Sequence, residues 1–515
     1  MPGEKIQIGP FSGGLNTYSD PTSVEDNQLV VCENMELDLD GSLKSRPPVE
    51  DLSVPFPLGA SGNMQLLGYF YGAGNVPYLL ASDGLSTTYY LSGNAWVVVT
   101  NTIAASAMAQ FNSKAWLLAP EGSANPGGSW EPVGGFTADA NMPRGEVIVA
   151  FKYRLWVAIG KDATSNSTRL YFSNILGVTP FWPTTPEFID IGAGDGQAIV
   201  QLAIYYQSLL IFRTNSIYGF SYTTDPASGV TAVVVPGIGL ESKDSLAAFE
   251  GYLYFMYQGR AYEFINNRAS QINTPVPFEA TSETGIYLPF WVSVFNQRIV
   301  FGYYNTMFVF NLRNRTWTTW ISTVYGALGK MIQKPGGDSA EVSVILHTSV
   351  AVPTGGARTA KTLRMTDSPG SAAEQMICTV QTKNYDYQVP SQYKRIFWWG
   401  ISAVFKGTLT GTATPIVLGY QVTWADLLSN TWTDELDFTW DRPMDKSLKA
   451  VDVQNTSDVS SNRKFVRLSS NGMRFRQINY KAEFTTDGSV ATAPVRLFSI
   501  TTYVSAKEVV SKTLT

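Results

Sequence analysis

The stretch AAFEGYLYFMYQGRAYEFINNR, which spans Ala247–Arg268, is repeated in plan by SVFNQRIVFGYYNTMFVFNLRNR, which spans Ser293–Arg315. Each contains an apolar segment, a tight turn, a second apolar segment and, after another turn, a third. The segments are rich in aromatic and β-branched residues and are bounded by Gly, Asn and Gln, a pattern typical of β-strands joined by hairpins. The two stretches therefore predict repeated antiparallel units.

The same plan recurs at intervals of about 35–50 residues through the middle of the chain. The strand pairs are predicted at Met64–Phe70 with Val76–Ala81, Met108–Gln110 with Ala115–Ala119, Val147–Phe151 with Leu155–Ile159, Ile199–Ile204 with Leu209–Arg213, Leu246–Phe249 with Leu253–Met256, and Trp291–Phe295 with Ile299–Tyr303. A seventh, weaker unit is predicted within Gly326–Thr366. Such repeats are typical of propeller blades, which pack on one another. A stacked sandwich is the competing interpretation, but the spacing favours an all-β chain with a β-propeller of about six to seven blades over residues 51–374.

The pattern changes after the small, polar stretch Thr366–Ala373, where we predict a domain boundary. From Gln375 onward the strands are longer and lack the repeat. In Met473–Phe484, basic or polar residues alternate with apolar ones, as they do in a half-buried antiparallel strand. We therefore predict a C-terminal β-sandwich over residues 375–515.

The first fifty residues are predicted to form an N-terminal arm and a hairpin. Alternating runs flank Asp40-Gly41, a dipeptide that tolerates positive φ at both central positions, and Pro47-Pro48 ends the second strand. Gly13-Gly14 indicates a backbone that needs freedom or approaches another chain closely. The hairpin is also a candidate for the strand that completes the first blade and closes the propeller ring.

Two further segments near the start are predicted from local pattern. Ser23–Asn34 is expected to form about two turns of helix, with Ser23 as the N-cap residue. Asp51–Gly62 is rich in Pro, Gly and Ser, and it is expected to be a loop.

Composition excludes several classes of function. The net charge of −5 argues against general nucleic-acid binding. Cys32 and Cys378 are too far apart in sequence to indicate a disulfide framework, and we expect both to be buried apolar residues. No leader-like segment and no long apolar run occur, which predicts synthesis in a cytosol and no membrane insertion.

The sequence contains no convincing catalytic set. His347 is the only histidine, which argues against His-dependent hydrolysis and zinc binding. Acidic pairs are the remaining option, and they are interpreted as turn residues between strands rather than as a glycosidase site or a calcium loop. These pairs are Asp190 with Asp195, Glu241 with Asp244, and Asp434-Glu435 with Asp437. We predict no enzyme activity and no cofactor.

One surface-type motif stands out in the C-terminal part. Trp424, Trp432 and Trp440 lie near DFTWDRP, and aromatic platforms beside charged groups are a common way to bind sugars. Core packing or subunit contact is the alternative role for these tryptophans.

The opening residues resemble the start of nozzle or hub proteins of bacteriophage tails, which carry a GGLN…P segment and a D-x-x-G-x-L-x-x-R-P hairpin. The matching residues are Gly13, Gly14, Leu15, Asn16, Pro21, Asn34, Asp38, Gly41, Leu43, Arg46 and Pro47. The stretches VQTKNYDYQVPSQYKRIFWWGISA and APVRLFSITTYVSAK resemble the closing domain of the same proteins. An ordinary surface arm and hairpin is the other interpretation of the opening residues.

The resemblance implies a structural protein of the virion tail that forms a ring, with six copies around a channel through which DNA passes without specific binding. It also implies contacts with an adjoining tail or adaptor ring and with tail fibre proteins. The expected assembly residues are Gly13, Gly14, Leu15, Asn16, Asn34, Asp40, Gly41 and Arg46. Deletion of residues 1–50 is expected to spare the folded sandwich and prevent incorporation into the tail.

Two other functions remain open from the sequence. The first is a tail-tip protein that binds receptor glycans, for which Trp424, Trp432 and Trp440 are the candidate contacts. The second is a propeller that cleaves glycans with one of the acidic pairs.

Overall fold

A computed structural model describes most of the chain. The described residues are 4–17, 19–21, 23–57, 64–93, 95–160, 166–272, 291–303, 306–321, 330–333, 343–348, 360–365, 376–385, 387, 394–404, 407–416, 464–475, 477–486 and 495–506. Their regular structure is β-strand, apart from single 3-10 turns at Ala73–Asn75 and Pro226–Ser228. The predicted all-β class is confirmed.

Six four-stranded antiparallel units follow one another along the chain, and we number them blades 1 to 6. Blade 1 contains Gln65–Tyr71, Pro77–Ser82, Thr88–Ser92 and Ala95–Thr100; blade 2 contains Ala107–Phe111, Lys114–Leu118, Gly128–Glu131 and Gly135–Ala138; blade 3 contains Val147–Phe151, Arg154–Ala158, Arg169–Phe172 and Glu187–Asp190; blade 4 contains Ile199–Tyr205, Ser208–Arg213, Ser216–Ser221 and Val230–Pro236; blade 5 contains Leu246–Phe249, Tyr252–Tyr257, Arg260–Ile265 and Arg268–Gln271; blade 6 contains Trp291–Phe295, Arg298–Tyr303, Thr306–Asn311 and Thr316–Ile321. Each blade contains the strand pair predicted for it. First strands of neighbouring blades contact one another, so the first strand is the innermost.

Two-residue turns join the first two strands of blades 2 to 6, as the repeat predicted, whereas five residues join those of blade 1. In blade 2 the turn residues Asn112 and Ser113 have φ of 50° and 57°, and in blade 6 Asn296 and Gln297 have φ of 43° and 62°. Positive φ at both positions is typical of a type I′ turn, whose twist matches that of the flanking strands. These turns explain why Asn and Gln recur at this place in the repeat.

A seventh blade closes the propeller. Its strands are Ile332–Gln333, Ser343–Thr348 and Ala360–Met365, and Val49–Phe56 adds the outer strand by antiparallel pairing. The closing strand therefore completes the last blade rather than the first, and it follows the hairpin rather than being part of it. The prediction of a loop at Asp51–Gly62 is wrong for residues 51–56, which belong to this strand. An edge strand tolerates proline at a position that needs no ladder donor.

Buried apolar clusters connect each pair of neighbouring blades, including blade 7 with blade 1. Trp156 of blade 3, for example, packs against Phe220 and Tyr222 at blade 4 with ring centroids 5.3 and 5.6 Å apart. Phe56 of blade 7 lies edge-on to Tyr89 of blade 1 at 5.1 Å. The ring is thus closed by aromatic packing between blades as well as by the strand from the N-terminal region.

The predicted sandwich and hairpin are also present, with strands from both ends of the chain. One sheet contains Lys464–Phe475, Lys394–Val404, Arg496–Ala506, Leu43–Ser45 and Met35–Leu37, and Glu4–Ile8 also pairs with Arg496–Ala506. The other contains Gln28–Glu33, Ile377–Thr382, Gln477–Thr486 and Gly407–Ile416, with Gly14–Leu15 parallel to Gln28–Glu33. Strands from residues 4–45 therefore belong to both sheets.

The strand Gln28–Glu33 links the sandwich to the propeller. Glu33 pairs with Thr319 of blade 6 on one side and with Thr379 on the other, so blade 6 continues into a nine-stranded sheet. The helix predicted at Ser23–Asn34 is wrong. Leu29 and Cys32 are both buried in the sandwich core although they are three positions apart, because the register shifts between Leu29 and Val31 and turns both side chains to the same face. The Ser23 hydroxyl donates to the Asp20 carbonyl in a turn, at 2.9 Å, and caps no helix.

Residues near the two ends of the chain share one apolar core. The buried side chains from the first part include Ile8, Phe11, Leu15, Leu29, Met35, Leu37 and Leu43, and those from the last part include Trp399, Ile401, Tyr480 and Ile500. This shared core argues against the expectation that the sandwich survives deletion of residues 1–50, because deletion would open the core to water.

Candidate functional site

Asn34 joins three parts of the molecule. Its backbone has φ of 56°, a left-handed conformation that Asn adopts more readily than most residues. Its N–H donates to the carbonyl of Thr319 in blade 6 at 2.7 Å, and its Nδ2 donates to the carbonyl of Ile377 in the sandwich at 2.8 Å. Its Oδ1 accepts from the N–H of Ile321 at 2.7 Å and from Nε of Arg46 at 2.8 Å. One buried asparagine thus binds the arm, the propeller and the sandwich together.

Arg46 is almost fully buried beside Asn34. Besides its bond to Asn34, its Nη1 donates to the Pro47 carbonyl at 2.9 Å and its Nη2 donates to the Ile321 carbonyl at 3.3 Å. A buried guanidinium is tolerated when its N–H groups find acceptors. Arg46 therefore fixes the end of the hairpin against the outer strand of blade 6.

A second contact between the hairpin and blade 6 is ionic. Glu36 is buried and accepts two hydrogen bonds from Arg298, from Nε at 2.5 Å and from Nη2 at 2.7 Å. Nζ of Lys44 lies 3.3 Å from the same carboxylate. The guanidinium of Arg298 also lies over the rings of Phe295 and Trp320, 5.6 and 5.9 Å from their centroids. Bidentate pairing of this kind fixes orientation as well as distance. We call Asn34, Glu36, Arg46 and Arg298 the joint.

The glycines of the arm are required because it approaches its neighbours closely. Gly14 has φ of 66°, and a Cβ there would lie 2.8 Å from Cβ of Thr316 in blade 6. A Cβ on Gly13 would lie 2.4 Å from Cγ of Gln28. Leu15 is buried in the sandwich core, and Nδ2 of Asn16 donates to Oε1 of Gln28 at 2.8 Å. The arm thus lies tightly against blade 6 and against its own strand Gln28–Glu33.

The hairpin turn differs from the predicted type. Only Gly41 has positive φ, at 79°, and a Cβ there would lie 2.7 Å from Cβ of Pro10. Oδ1 of Asp40 accepts from the backbone N–H of Ser42 at 2.9 Å and from its hydroxyl at 2.5 Å. The hydroxyl bond is the main cause that lowers the pKa of Asp40. Asp40 thus supports a longer loop, in which the N–H of Asp38 donates to the Ser42 carbonyl at 2.8 Å.

The eight expected assembly residues therefore all contact other parts of their own chain. Asn34 and Arg46 belong to the joint, while Gly13, Gly14, Leu15, Asn16, Asp40 and Gly41 hold the arm and hairpin around it. A role between subunits stays a prediction. Sequence reasoning missed Glu36 and its partner Arg298. Alternation in Met35–Leu37 predicts that Glu36 lies on the solvent side of an isolated hairpin, where it would need no buried partner.

The two cysteines lie on neighbouring strands of the sandwich, are buried and form no disulfide, as predicted. Sγ of Cys32 lies 3.6 Å from the Met35 carbonyl, and Sγ of Cys378 lies 3.4 Å from the Asn34 carbonyl. Burial raises the pKa of Cys32 strongly, so its thiol stays protonated. Both residues pack around the joint.

One end of the propeller channel is crossed by side chains, and we call this group the channel mouth. Lys243, which precedes blade 5, forms an ion pair with Glu146, which precedes blade 3, and donates to the carbonyl of Ser106 before blade 2 at 3.1 Å. Nε2 of Gln201 in blade 4 donates to the Lys243 carbonyl at 2.7 Å, and Nε2 of Gln65 in blade 1 donates to the Ser106 carbonyl at 3.4 Å. Residues from five blades are therefore linked across the axis.

The predicted pair Glu241 and Asp244 lies at this end of the propeller but has structural partners. Oε1 of Glu241 accepts from the N–H of Gly259 at 3.0 Å. Oδ1 of Asp244 lies 3.0 Å from Nζ of Lys330. Burial by itself would raise the pKa of Asp244, but the ammonium groups of Lys330 and Lys243 outweigh burial and hold that pKa below its usual value. Asp244 is thus an ionised partner of lysine.

The pair Asp190 and Asp195 is likewise engaged. Asp190 lies 3.5 Å from Nε of Arg169. Asp195 accepts from both terminal nitrogens of the fully buried Arg213, with Nη1 2.6 Å from its Oδ2, and these hydrogen bonds lower its pKa. Nη2 of Arg213 also donates to the Gln197 carbonyl at 2.5 Å. The loop wraps an arginine instead of presenting its carboxylates to a cation.

The remaining candidates, apart from His347, lie outside the described residues. These are Trp424, Trp432, Trp440, Asp434, Glu435 and Asp437. His347 lies on the strand Ser343–Thr348 of blade 7. Within the described ranges, no group of three or more His, Cys, Asp or Glu side chains is placed to hold a metal ion. No helix in those ranges has the length and apolar character needed to span a membrane.

Comparisons with known proteins show only similar folds. No protein-family model matches the sequence, and no curated protein matches it. YCF48 from Cyanidioschyzon merolae is 11% identical, with a TM-score of 0.37 over 62% of this chain and 98% of that one. The Pan2 WD40 domain from Neurospora crassa is 9% identical, with a TM-score of 0.39 over 64% of this chain and 98% of that one. At these identities and TM-scores, neither neighbour bears on function. The part of the chain that the structure describes is an all-β fold, a seven-bladed propeller joined to a β-sandwich.

Proposed function

We propose that this chain is a structural subunit of a bacteriophage tail, a nozzle or hub protein that forms a ring around the DNA exit channel. The observation that supports it is the place where the resembling residues meet. Asn34 and Arg46 belong to the joint, and Gly14 and Gly41 allow the arm to pack beside it. The residues that carry the resemblance are therefore those that fix a propeller rigidly to a sandwich.

A ring subunit that guides DNA has to keep its domains in register under load. The nine-stranded sheet that runs from blade 6 into the sandwich provides this, since it contains backbone hydrogen bonds instead of a linker. The buried pair of Glu36 and Arg298 adds an orientation-specific lock. Both features suit a part that must stay rigid better than a mobile enzyme domain.

DNA would pass through the space enclosed by several subunits and not through one propeller. The channel mouth is crossed by Lys243, which is paired with Glu146. The net charge of −5 suits such a conduit, because each lysine or arginine that neutralised a phosphate would add salt-dependent affinity. The proposal includes no catalytic step and no cofactor.

The partners in this proposal are copies of the same chain, six by the resemblance, together with an adjoining tail or adaptor ring and tail fibre proteins. The chain would be made in the host cytoplasm and reside in the virion tail. Electron cryomicroscopy of the particle that contains it tests this, with an epitope label on the chain to locate it. Density on the tail axis with cyclic symmetry is expected, and a label off the axis would overturn the proposal.

Recognition of a receptor glycan is a second candidate, favoured by two exposed tyrosines. Tyr153 in the first turn of blade 3 is 70% exposed, and Tyr206 in the corresponding turn of blade 4 is 74% exposed. The two turns lie at the same end of neighbouring blades, and exposed aromatic rings can stack on sugars. Binding of the purified chain to host cell-wall glycans, with Tyr153→Ala and Tyr206→Ala as variants, tests this candidate. Unchanged binding in both variants would exclude this site.

A further inference from the structure

The strand Val49–Phe56 closes the propeller, and we call it the closing strand. It begins just after the hairpin. Ser45 is still held in the sandwich sheet, where its N–H donates to the carbonyl of Val495 at 2.8 Å. Val49 already belongs to the ladder of blade 7. Only Arg46 and two prolines lie between them, and proline fixes its own φ. The connection therefore has little slack, and a movement of the hairpin is passed on to the closing strand.

The joint also contacts the apolar cluster in which the closing strand begins. Val49 is fully buried between blades 6 and 7, in one cluster with Phe295 and Trp320. The guanidinium of Arg298 lies over the rings of Phe295 and Trp320. Glu36 of the hairpin holds Arg298 in that position with two hydrogen bonds. The hairpin and the start of the closing strand are therefore packed on the same two rings of blade 6.

Blade 7 has a less regular ladder than the other blades. Its first strand, Ile332–Gln333, has two residues, whereas the first strands of blades 1 to 6 have four or more. The pairing of Ala360–Met365 with the closing strand shifts register between Lys361 and Leu363, and such a shift interrupts the ladder locally. Elements that open in conformational changes come from the less stable parts of a fold. Among the described blades, blade 7 is thus the one in which the ring is expected to open.

We infer that the joint is a latch on the propeller. While the hairpin lies against blade 6, the closing strand stays paired in blade 7, and displacement of the hairpin draws the closing strand out of the blade. The short connection carries the movement, because Ser45 and Val49 cannot move far apart. A hairpin that is displaced therefore pulls on the closing strand, whereas a hairpin that is removed by deletion does not.

Release of the latch would open the ring at one place. It would uncover the aromatic cluster between blades 7 and 1, in which Phe56 of the closing strand packs on Tyr89 and Trp96 with ring centroids 5.1 Å apart. The other six blades would keep their own ladders, because each is built from consecutive strands. Every contact of the latch lies within one chain, so the inference goes beyond the proposed tail function and does not depend on it.

Hydrogen exchange of the full chain, followed by mass spectrometry, tests the latch. Glu36→Ala loosens the hairpin, and we expect amides of the closing strand and of Ala360–Met365 to exchange at least about tenfold faster. Amides of Arg154–Ala158 in blade 3 should exchange as in the wild type. Ile211→Ala is the matched control, because it truncates a buried side chain between blades 3 and 4 and leaves the joint intact. Equal acceleration of the closing strand in both variants would overturn the inference, as would a uniform increase over all blades in Glu36→Ala.

A longer connection tests how the movement is carried. Insertion of Gly-Ser-Gly-Ser between Pro47 and Pro48 adds slack and keeps every side chain of the hairpin and the closing strand. Combined with Glu36→Ala, the insertion should return exchange in the closing strand most of the way to the wild-type rate. Exchange that stays fast would show that the connection does not carry the movement, and it would overturn the latch. A label off the tail axis would reject the proposed function and leave the latch standing.

Discussion

The propeller and the joint are held together by different kinds of contact. In the propeller, each blade packs on its sequence neighbour through aromatic and aliphatic side chains, as Trp156 does on Phe220. In the joint, a buried carboxylate, two buried cationic side chains and one asparagine link residues more than 250 positions apart, as Glu36 and Arg298 do. Apolar packing accepts many residue combinations, whereas buried polar contacts fail when one partner is lost. The propeller should therefore be tolerant and the joint sensitive to substitution.

Removal of the arm should have the largest effect. Deletion of residues 1–46 removes the hairpin, the linking strand and eight buried apolar side chains of the sandwich, but leaves the strand that closes blade 7. We expect a propeller that resists limited proteolysis and a C-terminal region, residues 376–506, that is degraded. Equal protection of both regions would show that the sandwich folds without the arm.

The next largest effect is expected at the ion pair. Glu36→Ala leaves the buried guanidinium of Arg298 without its carboxylate, which should lower the free energy of unfolding by about 3–5 kcal/mol. Chemical denaturation measures the change. Lys114→Ala is the control, because it breaks an exposed ion pair with Glu131 in blade 2, and it should cost less than about 1 kcal/mol. Similar losses in the two variants would remove the contrast between the joint and the propeller surface.

A matched pair of glycines separates backbone strain from close contact. Gly14 and Gly122 both have positive φ, but a Cβ on Gly14 would clash with Thr316, while a Cβ on Gly122 has nothing within 4 Å. Gly122→Ala should cost about 1 kcal/mol for the left-handed backbone, and Gly14→Ala about 1–3 kcal/mol more for the clash. Thermal or chemical denaturation of both variants compares them. Equal costs would mean that the arm can move away from blade 6.

The smallest expected effect is a pH-dependent difference in melting temperature, caused by the ion pair of Asp195 with Arg213 in the propeller. Hydrogen bonds from Arg213 hold the pKa of Asp195 below its usual 3.8, so its stabilising contribution is present above that value and is lost as the pH falls through the lower folded pKa. Asp195→Asn should therefore melt below the wild type at about pH 6, and the difference should shrink below about pH 4. The size is modest because the carboxylate is partly exposed. A difference that does not change with pH would contradict the assignment.

Most of the propeller was predictable because its signals are local. The strand pairs and turns at Asn112 and Gln297 repeat within short windows, and a type I′ turn needs only its own two residues. The arm was predictable only in part. Its hairpin and close-packed glycines were found, whereas Gln28–Glu33 was taken for part of a helix because its strand partners, Thr319 and Thr379, are far away in sequence.

The residues of the candidate site were likewise predicted only in part. Asn34 and Arg46 were identified through a resemblance, and Glu36, Arg298 and Lys243 were missed because nothing in their surroundings marks a charged residue for burial or for crossing a channel. Whether the arm residues also serve between subunits, and whether Trp424, Trp432 and Trp440 bind sugars, remain predictions.

By itself, the sequence determined that this is an all-β chain of repeated antiparallel blades with a non-repeating β-rich end, because hydrophobic alternation and turn residues act over a few positions. Tertiary structure alone decided that Val49–Phe56 closes the ring, that Gln28–Glu33 is a strand, and that Glu36 meets Arg298. These choices depend on which distant backbone edge or charge is available as a partner, and a local pattern does not contain that information.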